Sequence, residues 1–167
     1  TAHAAALTAH LRSAAEPKPG GAVPDARLLV QANRLLALQY DAEHGGFGGA
    51  PKFPQSVRLD FLLRYAHRSG DEAARERAIG TLDRMAEGGI RDQIGGGFHR
   101  YATDRAWRVP HFEKMLYDNA LLALSYLQAF QATGEKRHAE IAREVLDDLL
   151  RELRGSHGAF HSATDAE

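Results

Sequence analysis

The side chains best suited to chemistry are concentrated in residues 88–119, which read GGIRDQIGGGFHRYATDRAWRVPHFEKMLYDN. Histidine titrates near neutrality, so His99 and His111 are candidates for a proton-transfer pair acting beside a carbonyl, one on each face of the carbon. Glu113, Asp118 and Asp92 are candidate catalytic carboxylates, and with Asp104 and Asp165 they form the pool from which a hydrolytic pair would come. Such a pair needs a separation of about 5–5.5 Å for retention or about 6.5–9.5 Å for inversion, which spacing in sequence does not set. Trp107 is a candidate stacking platform, with Phe98, Tyr101 and Phe53 lining a pocket. Lys52, Arg100, Lys114, Tyr117, Asn119 and Asp165 are candidate ligand contacts. A helix opening near Phe112 would set His111, Lys114, Met115 and Asp118 on one face and Glu113 and Tyr117 on the next.

The same residues also fit a structural reading. Glu113 and Asp118 can accept hydrogen bonds from loop amides and from Arg100, Arg105 or Arg108, and Ser162 or Asp165 can serve as a helix cap. His44, His99, His111, His157 and His161 form no HxxxH or HExxH pair on a helix, so no metal site is expected. The glycine runs lack both a βαβ setting and a GxxxxGK[ST] pattern, and no cofactor is implied.

Helices must position these groups. Residues 2–15 are rich in Ala and Leu and predict a leading helix, ended by a linker holding Pro17, Pro19, Gly20, Gly21 and Pro24. Asp25 stands where a cap is needed, and Leu28, Leu29, Ala32, Leu35 and Leu36 repeat with helical spacing to about Tyr40. Helices follow at 56 to about 67, with Ser56 as cap, and at about 72–87, 112–133 and 136–154. The second and fourth of these five barrel helices are apolar on nearly every side, whereas the others carry one stripe; they are expected to be buried all round in a complete barrel and, in this stretch, to present apolar surface where neighbours are missing.

Each striped helix is followed by a Gly-Phe loop: HGGFGG at 44–49, GGGFHR at 95–100 and HGAFHS at 157–162. The repeating unit is an outer helix, a Gly-Phe loop and an inner helix. This predicts an all-α fold, an incomplete (α/α)6 toroid with its loops at one end. Residues 1–24 are the leading helix and linker, and residues 25–167 the N-terminal part of a truncated barrel. With half of the pocket wall missing, the 167 residues alone are expected to be inactive.

With 44% hydrophobic and 26% charged residues the chain is globular, and a net charge of −1 provides no basic field for nucleic acid. Zero cysteines excludes disulfides, thiolate zinc sites and a CxxC motif within it. No run is long enough to span a membrane, and a soluble, cytoplasmic protein is expected.

FGGAPKFP at 47–54, DQIGGGFHRYATD at 92–104, WRVPHFEKMLYDNA at 107–120 and HGAFHSATDAE at 157–167 together resemble the thioredoxin-domain-containing family that includes spermatogenesis-associated protein 20. The resemblance implies a thioredoxin-like domain N-terminal to these residues in the parent chain. It also implies a barrel similar to N-acylglucosamine 2-epimerase and to six-hairpin glycosidases, with a sugar-like ligand. Three functions are compatible: sugar epimerase or isomerase chemistry by histidine proton transfer, hydrolysis by a carboxylate pair, and a non-catalytic binding or scaffold domain.

Overall fold

The computed structural model describes residues 2–16 and 25–166; the Pro/Gly linker expected at 17–24 lies outside the described residues. Six helices occur in the order α1 (Ala2–Ala15), α2 (Ala26–Gln39), α3 (Ser56–Ser69), α4 (Glu72–Glu87), α5 (Leu116–Thr133) and α6 (Lys136–Asp148). The last runs on into a π-helical turn at Leu149–Leu153. Four two-residue strands, β1 (Tyr101–Ala102), β2 (Pro110–His111), β3 (Lys114–Met115) and β4 (Ala163–Thr164), form the antiparallel pairs β1–β2 and β3–β4.

Local chemistry explains most helix ends. Asp25 caps α2 by accepting the Arg27 amide at 2.8 Å, and Asp71 caps α4 by accepting the Ala74 amide at 2.9 Å. Gly70 and Gly134 stop α3 and α5 in the left-handed conformation that glycine adopts most easily. Ser56 is the first residue of α3, and its hydroxyl makes no cap, contrary to the sequence expectation.

Burial follows the apolar stripes. Leu59, Leu62 and Leu63 of α3, Leu82 and Met85 of α4, Leu122 and Tyr126 of α5, and Ile141 and Val145 of α6 enter one core. Helices α3 and α5 lie side by side, with α4 against α3 and α6 against α5. The Tyr126 hydroxyl donates to the Leu82 carbonyl at 2.8 Å, tying α5 to α4. Asn33 of α2 donates to Asp71 and accepts from Arg77 of α4, both at 2.9 Å.

The inner helices keep apolar surface exposed at Val57, Leu121, Leu124 and Leu127, as an incomplete toroid requires. One further expectation is corrected. Residues 112–115 are not helical, with Lys114 and Met115 in β3, so α5 opens at Leu116 and the helical facing of His111, Lys114 and Met115 with Asp118 does not hold. The backbone here takes its partners from far along the chain: Lys114 and Met115 pair with Thr164 and Ala163, and the Leu116 amide donates to the Ser162 carbonyl at 2.9 Å.

Candidate functional site

The Gly-Phe end is built twice on one plan. Tyr40 bridges Phe47 and Arg91 bridges Phe98 across the first two loops, and Arg154 bridges Phe160 across the third. In the first two, an aspartate follows the bridging residue. The Asp41 amide donates to the Gly46 carbonyl at 2.9 Å and the Asp92 amide to the Gly97 carbonyl at 3.0 Å. Each aspartate then takes a lysine from the strand leading to the next inner helix: Lys52 Nζ is 2.7 Å from Asp41 and Lys114 Nζ is 2.9 Å from Asp92. Those lysine segments pair with the tail of the following loop, Lys52 with Ala102 and Lys114 with Thr164. The third loop has Gly155 where the aspartate would stand.

A second tie repeats as well. The Asn119 side-chain amide accepts from the Phe98 N–H at 2.7 Å and donates to the Phe98 carbonyl at 2.9 Å, and Gln55 Nε2 reaches the Phe47 carbonyl at 3.5 Å. An amide side chain at the start of an inner helix thus reaches the backbone of the buried loop phenylalanine, pairing both groups of Phe98 and the carbonyl of Phe47.

This framework absorbs six of the candidate residues. Lys52, expected as a ligand contact, is 1% exposed; its ammonium lies on Asp41, on the Gly45 carbonyl at 2.7 Å and 5.2 Å from the Trp107 ring centroid. Trp107, expected as a platform, is 1% exposed and has no free face; its Nε1 donates to the His44 carbonyl at 2.9 Å. Phe98 is fully buried and stacks on Tyr126. Asn119, Asp92 and Lys114 have their polar atoms committed, Lys114 also to Asp148 at 3.2 Å and to the Gly96 carbonyl at 2.7 Å. Asp104 accepts the Ala106, Arg108 and Val109 amides and is a turn cap. Asp165 is exposed and accepts the Ala166 amide.

Burial would raise both loop aspartates, but their partners win. Asp41 is held far below the usual carboxylate range by Arg105, Lys52 and the His44 amide. Asp92 is lowered from about 3.8 to about 2 by the Gly95 amide, Lys114 and the Ile94 amide. Asp148 shares Lys114 and moves the other way, because its desolvation exceeds the lysine's attraction. A folded value below the unfolded one stabilises above the unfolded range, and that stabilisation is lost as pH falls through the folded value. Between pH about 4 and about 2 the chain is therefore expected to lose stability steeply in urea titrations. Asp92→Asn, less stable at neutral pH, should lose less over that interval, and equal losses would contradict the assignment.

The second repeat departs from the first at one place. Five positions separate Phe47 from Lys52, but sixteen separate Phe98 from Lys114. The added residues are the β1–β2 hairpin and its turn, in which Tyr101 pairs with His111. On this hairpin and its flanks sit the candidates the framework does not use. The rings of Phe53, Tyr101 and His111 form a column, with centroids 4.9 and 4.8 Å apart. Arg100 donates to Glu113 at 2.8 Å, and His111 Nδ1 lies 3.6 Å from the same carboxylate oxygen. His99, edge-on to Phe112 at 5.1 Å, is 7% exposed; burial first and the Lys114 charge second depress its pKa. Asp118 is raised by burial, with Tyr117 and Arg100 opposing. Tyr117 is exposed beside them.

Sequence reasoning passed over Asp41, Gln55 and Asp148, and it aimed Arg105 at Glu113 or Asp118, whereas Arg105 pairs with Asp41 and Arg100 reaches Glu113. The matched spacing of Asp41 to Phe47 and Asp92 to Phe98 was the available signal for the first. Arg105 and Asp148 reach their partners 64 and 34 positions away, which no local pattern reveals. Among the described residues no group of three or more His, Asp or Glu is arranged for a metal, and no helix is long and apolar enough to cross a membrane. Two shallow concavities of about 390 and 380 Å³ lie at the other end, one between α3 and α5 around Leu63, His67 and Gln128, the other around Ile79 and Thr133.

No protein-family model matches the chain. It is 52% identical to human spermatogenesis-associated protein 20 over 132 residues, covering 77% of the chain and 17% of that protein. The rat protein of the same name is 46% identical over 153 residues, covering 89% and 19%. Among solved structures, a sugar epimerase from a ruminal bacterium superposes with a TM-score of 0.73 at 18% identity, covering 84% of this chain and 40% of that one. Cellobiose 2-epimerase from Spirochaeta thermophila gives 0.70 at 22% identity, covering 84% and 41%. The chain spans less than a fifth of the spermatogenesis-associated proteins it matches and about two-fifths of the toroids. It is a homologue of a segment of spermatogenesis-associated protein 20, with the fold of part of an (α/α)6 toroid.

Proposed function

We propose that the β1–β2 hairpin face binds a sugar-like, polyhydroxylated ligand and, within a complete toroid, serves epimerase or isomerase chemistry by histidine proton transfer. The observation that carries this is where satisfaction fails. Of six buried side-chain polar atoms left without a partner among the described residues, four are at this end: Gln55 Oε1, His99 Nδ1, Arg100 Nε and His111 Nδ1. A buried polar atom left unpaired costs about 1–3 kcal/mol, so such a cluster is retained where something else completes it. Sugar hydroxyls both donate and accept, and they match the mixed set formed by the Gln55, His99 and Arg100 atoms, while His111 Nδ1 is turned to Glu113. The sugar epimerases that share the fold support the choice of ligand class. The same reading puts residues 25–167 in the N-terminal part of the toroid, with a thioredoxin-like domain preceding them in a cytoplasmic parent protein.

The test is solvent deuterium exchange into C2 of aldoses by the complete protein. Incorporation is expected, with a loss on the order of 100-fold or more in His111→Ala. No incorporation across a broad sugar panel would remove the proposal. A second reading is favoured by one observation: burial raises Asp118 while Arg100 holds a salt bridge to Glu113, two carboxyls in unlike environments as hydrolysis requires. Reducing-end release without deuterium exchange, abolished by Asp118→Asn, would select it.

A further inference from the structure

The two imidazoles at this site are not equivalent, and the difference assigns their roles. His111 Nδ1 is buried and unpartnered, and the charged atom facing it is Glu113 Oε2 at 3.6 Å. That oxygen is held by Arg100 at 2.8 Å, and the ring plane of His111 is held by Tyr101, 17° from parallel. An unprotonated Nδ1 would turn its lone pair toward a carboxylate oxygen, which is repulsive; a protonated Nδ1 turns an N–H toward it. The gap exceeds a hydrogen bond, but such contacts are often long before ligand binding and tighten with it. With Nδ1 buried, the exposed edge of this 36% exposed side chain is the one carrying Nε2. His99 has no carboxylate in salt-bridge range and is almost fully enclosed.

We infer that Glu113, fixed by Arg100, is a positioning residue that holds His111 as the Nδ1–H tautomer, leaving the Nε2 lone pair free to take a proton from a ligand. This rests on the reading of the hairpin face as a ligand site, and it identifies which histidine acts there. Glu113 itself transfers nothing; the C–H electron pair passes to the ligand's carbonyl to give an enediolate, the proton resides on Nε2 of an imidazolium beside Glu113, and its delivery from there to the neighbouring carbon completes an isomerisation.

The experiment is two-bond proton–nitrogen correlation spectroscopy of the complete protein labelled in histidine, at alkaline pH, with His111 assigned by its loss in His111→Ala. Free imidazole side chains favour Nε2–H, so an Nδ1–H signal for His111 is the expected and distinctive result. Glu113→Ala should return His111 to Nε2–H, whereas Glu113→Gln, which keeps an accepting oxygen, should retain Nδ1–H. A wild-type Nε2–H signal, or an Nδ1–H signal unchanged in a folded Glu113→Ala, overturns the dyad. Should Glu113→Ala fail to fold, the wild-type tautomer decides alone. Deuterium exchange on the same samples separates the two ideas: the expected tautomers without any exchange uphold the dyad and remove only the epimerase reading.

Discussion

Asp41→Ala should cost the fold about 3–5 kcal/mol, the largest effect expected from any single ion-pair truncation in this chain. Asp41 joins three segments: Lys52 at 2.7 Å, Arg105 through both Nε and a terminal nitrogen at 2.7 and 2.8 Å, and the amides of Glu43 and His44. Removing the carboxylate affects the two cations differently. The Arg105 side chain is about half exposed and can turn to water; the Lys52 side chain is completely enclosed and is left with one carbonyl and an aromatic ring. The cost is therefore that of a buried charge without its counter-ion. Asp41→Ala with Lys52→Met removes that charge and should recover a good part of the loss. Urea unfolding of the wild type, the two single variants and the double variant measures the coupling directly. A loss below about 1 kcal/mol in Asp41→Ala would show that the buried pair does not stabilise the loop.

Gly46→Ala should destabilise by roughly 2–5 kcal/mol, for two separable reasons. Gly46 has φ +76°, in the left-handed region, and a Cβ built there falls 2.6 Å from Trp107 Cζ2. That ring cannot retreat: it is enclosed and hydrogen-bonded through Nε1 to the His44 carbonyl. Gly48, two residues on, has φ +82° with nothing within 4 Å of its Cβ position. Gly48→Ala thus carries only the conformational part, about 1–2 kcal/mol, and the difference between the variants measures the clash with Trp107. Because Trp107 is the chain's single tryptophan, its emission should also shift in Gly46→Ala and stay unchanged in Gly48→Ala. Equal costs in the two variants would mean that the loop relaxes away from the ring.

Both predictions concern the framework under the hairpin, and the framework was only partly legible in sequence. The helices and their order follow from apolar periodicity and from short-range signals such as Asp25, Asp71, Gly70 and Gly134, where each partner lies within a few residues. The loop repeat is legible for the same reason: the backbone closes between Asp41 and Gly46, and between Asp92 and Gly97, over five positions. The all-α toroid assembled from those units is the fold the structure has.

Direction was not legible. Residues 112–115 carry spacing that suits a helix as well as a strand, and the choice falls to backbone partners at 162–164, some fifty positions away. Whether Lys52 and Trp107 face the rim or the interior depends on Asp41, Gly45, His44 and Arg105 converging from two different loops. Composition and spacing alone therefore determined which residues could act and which helices would carry them. Only the tertiary structure separated Asp92, Lys114, Lys52, Asn119 and Trp107, whose polar atoms are satisfied within the protein, from His99, Arg100 and His111, where polar atoms are not. That separation depends on long-range pairing of buried charges and backbone groups, which local sequence does not encode.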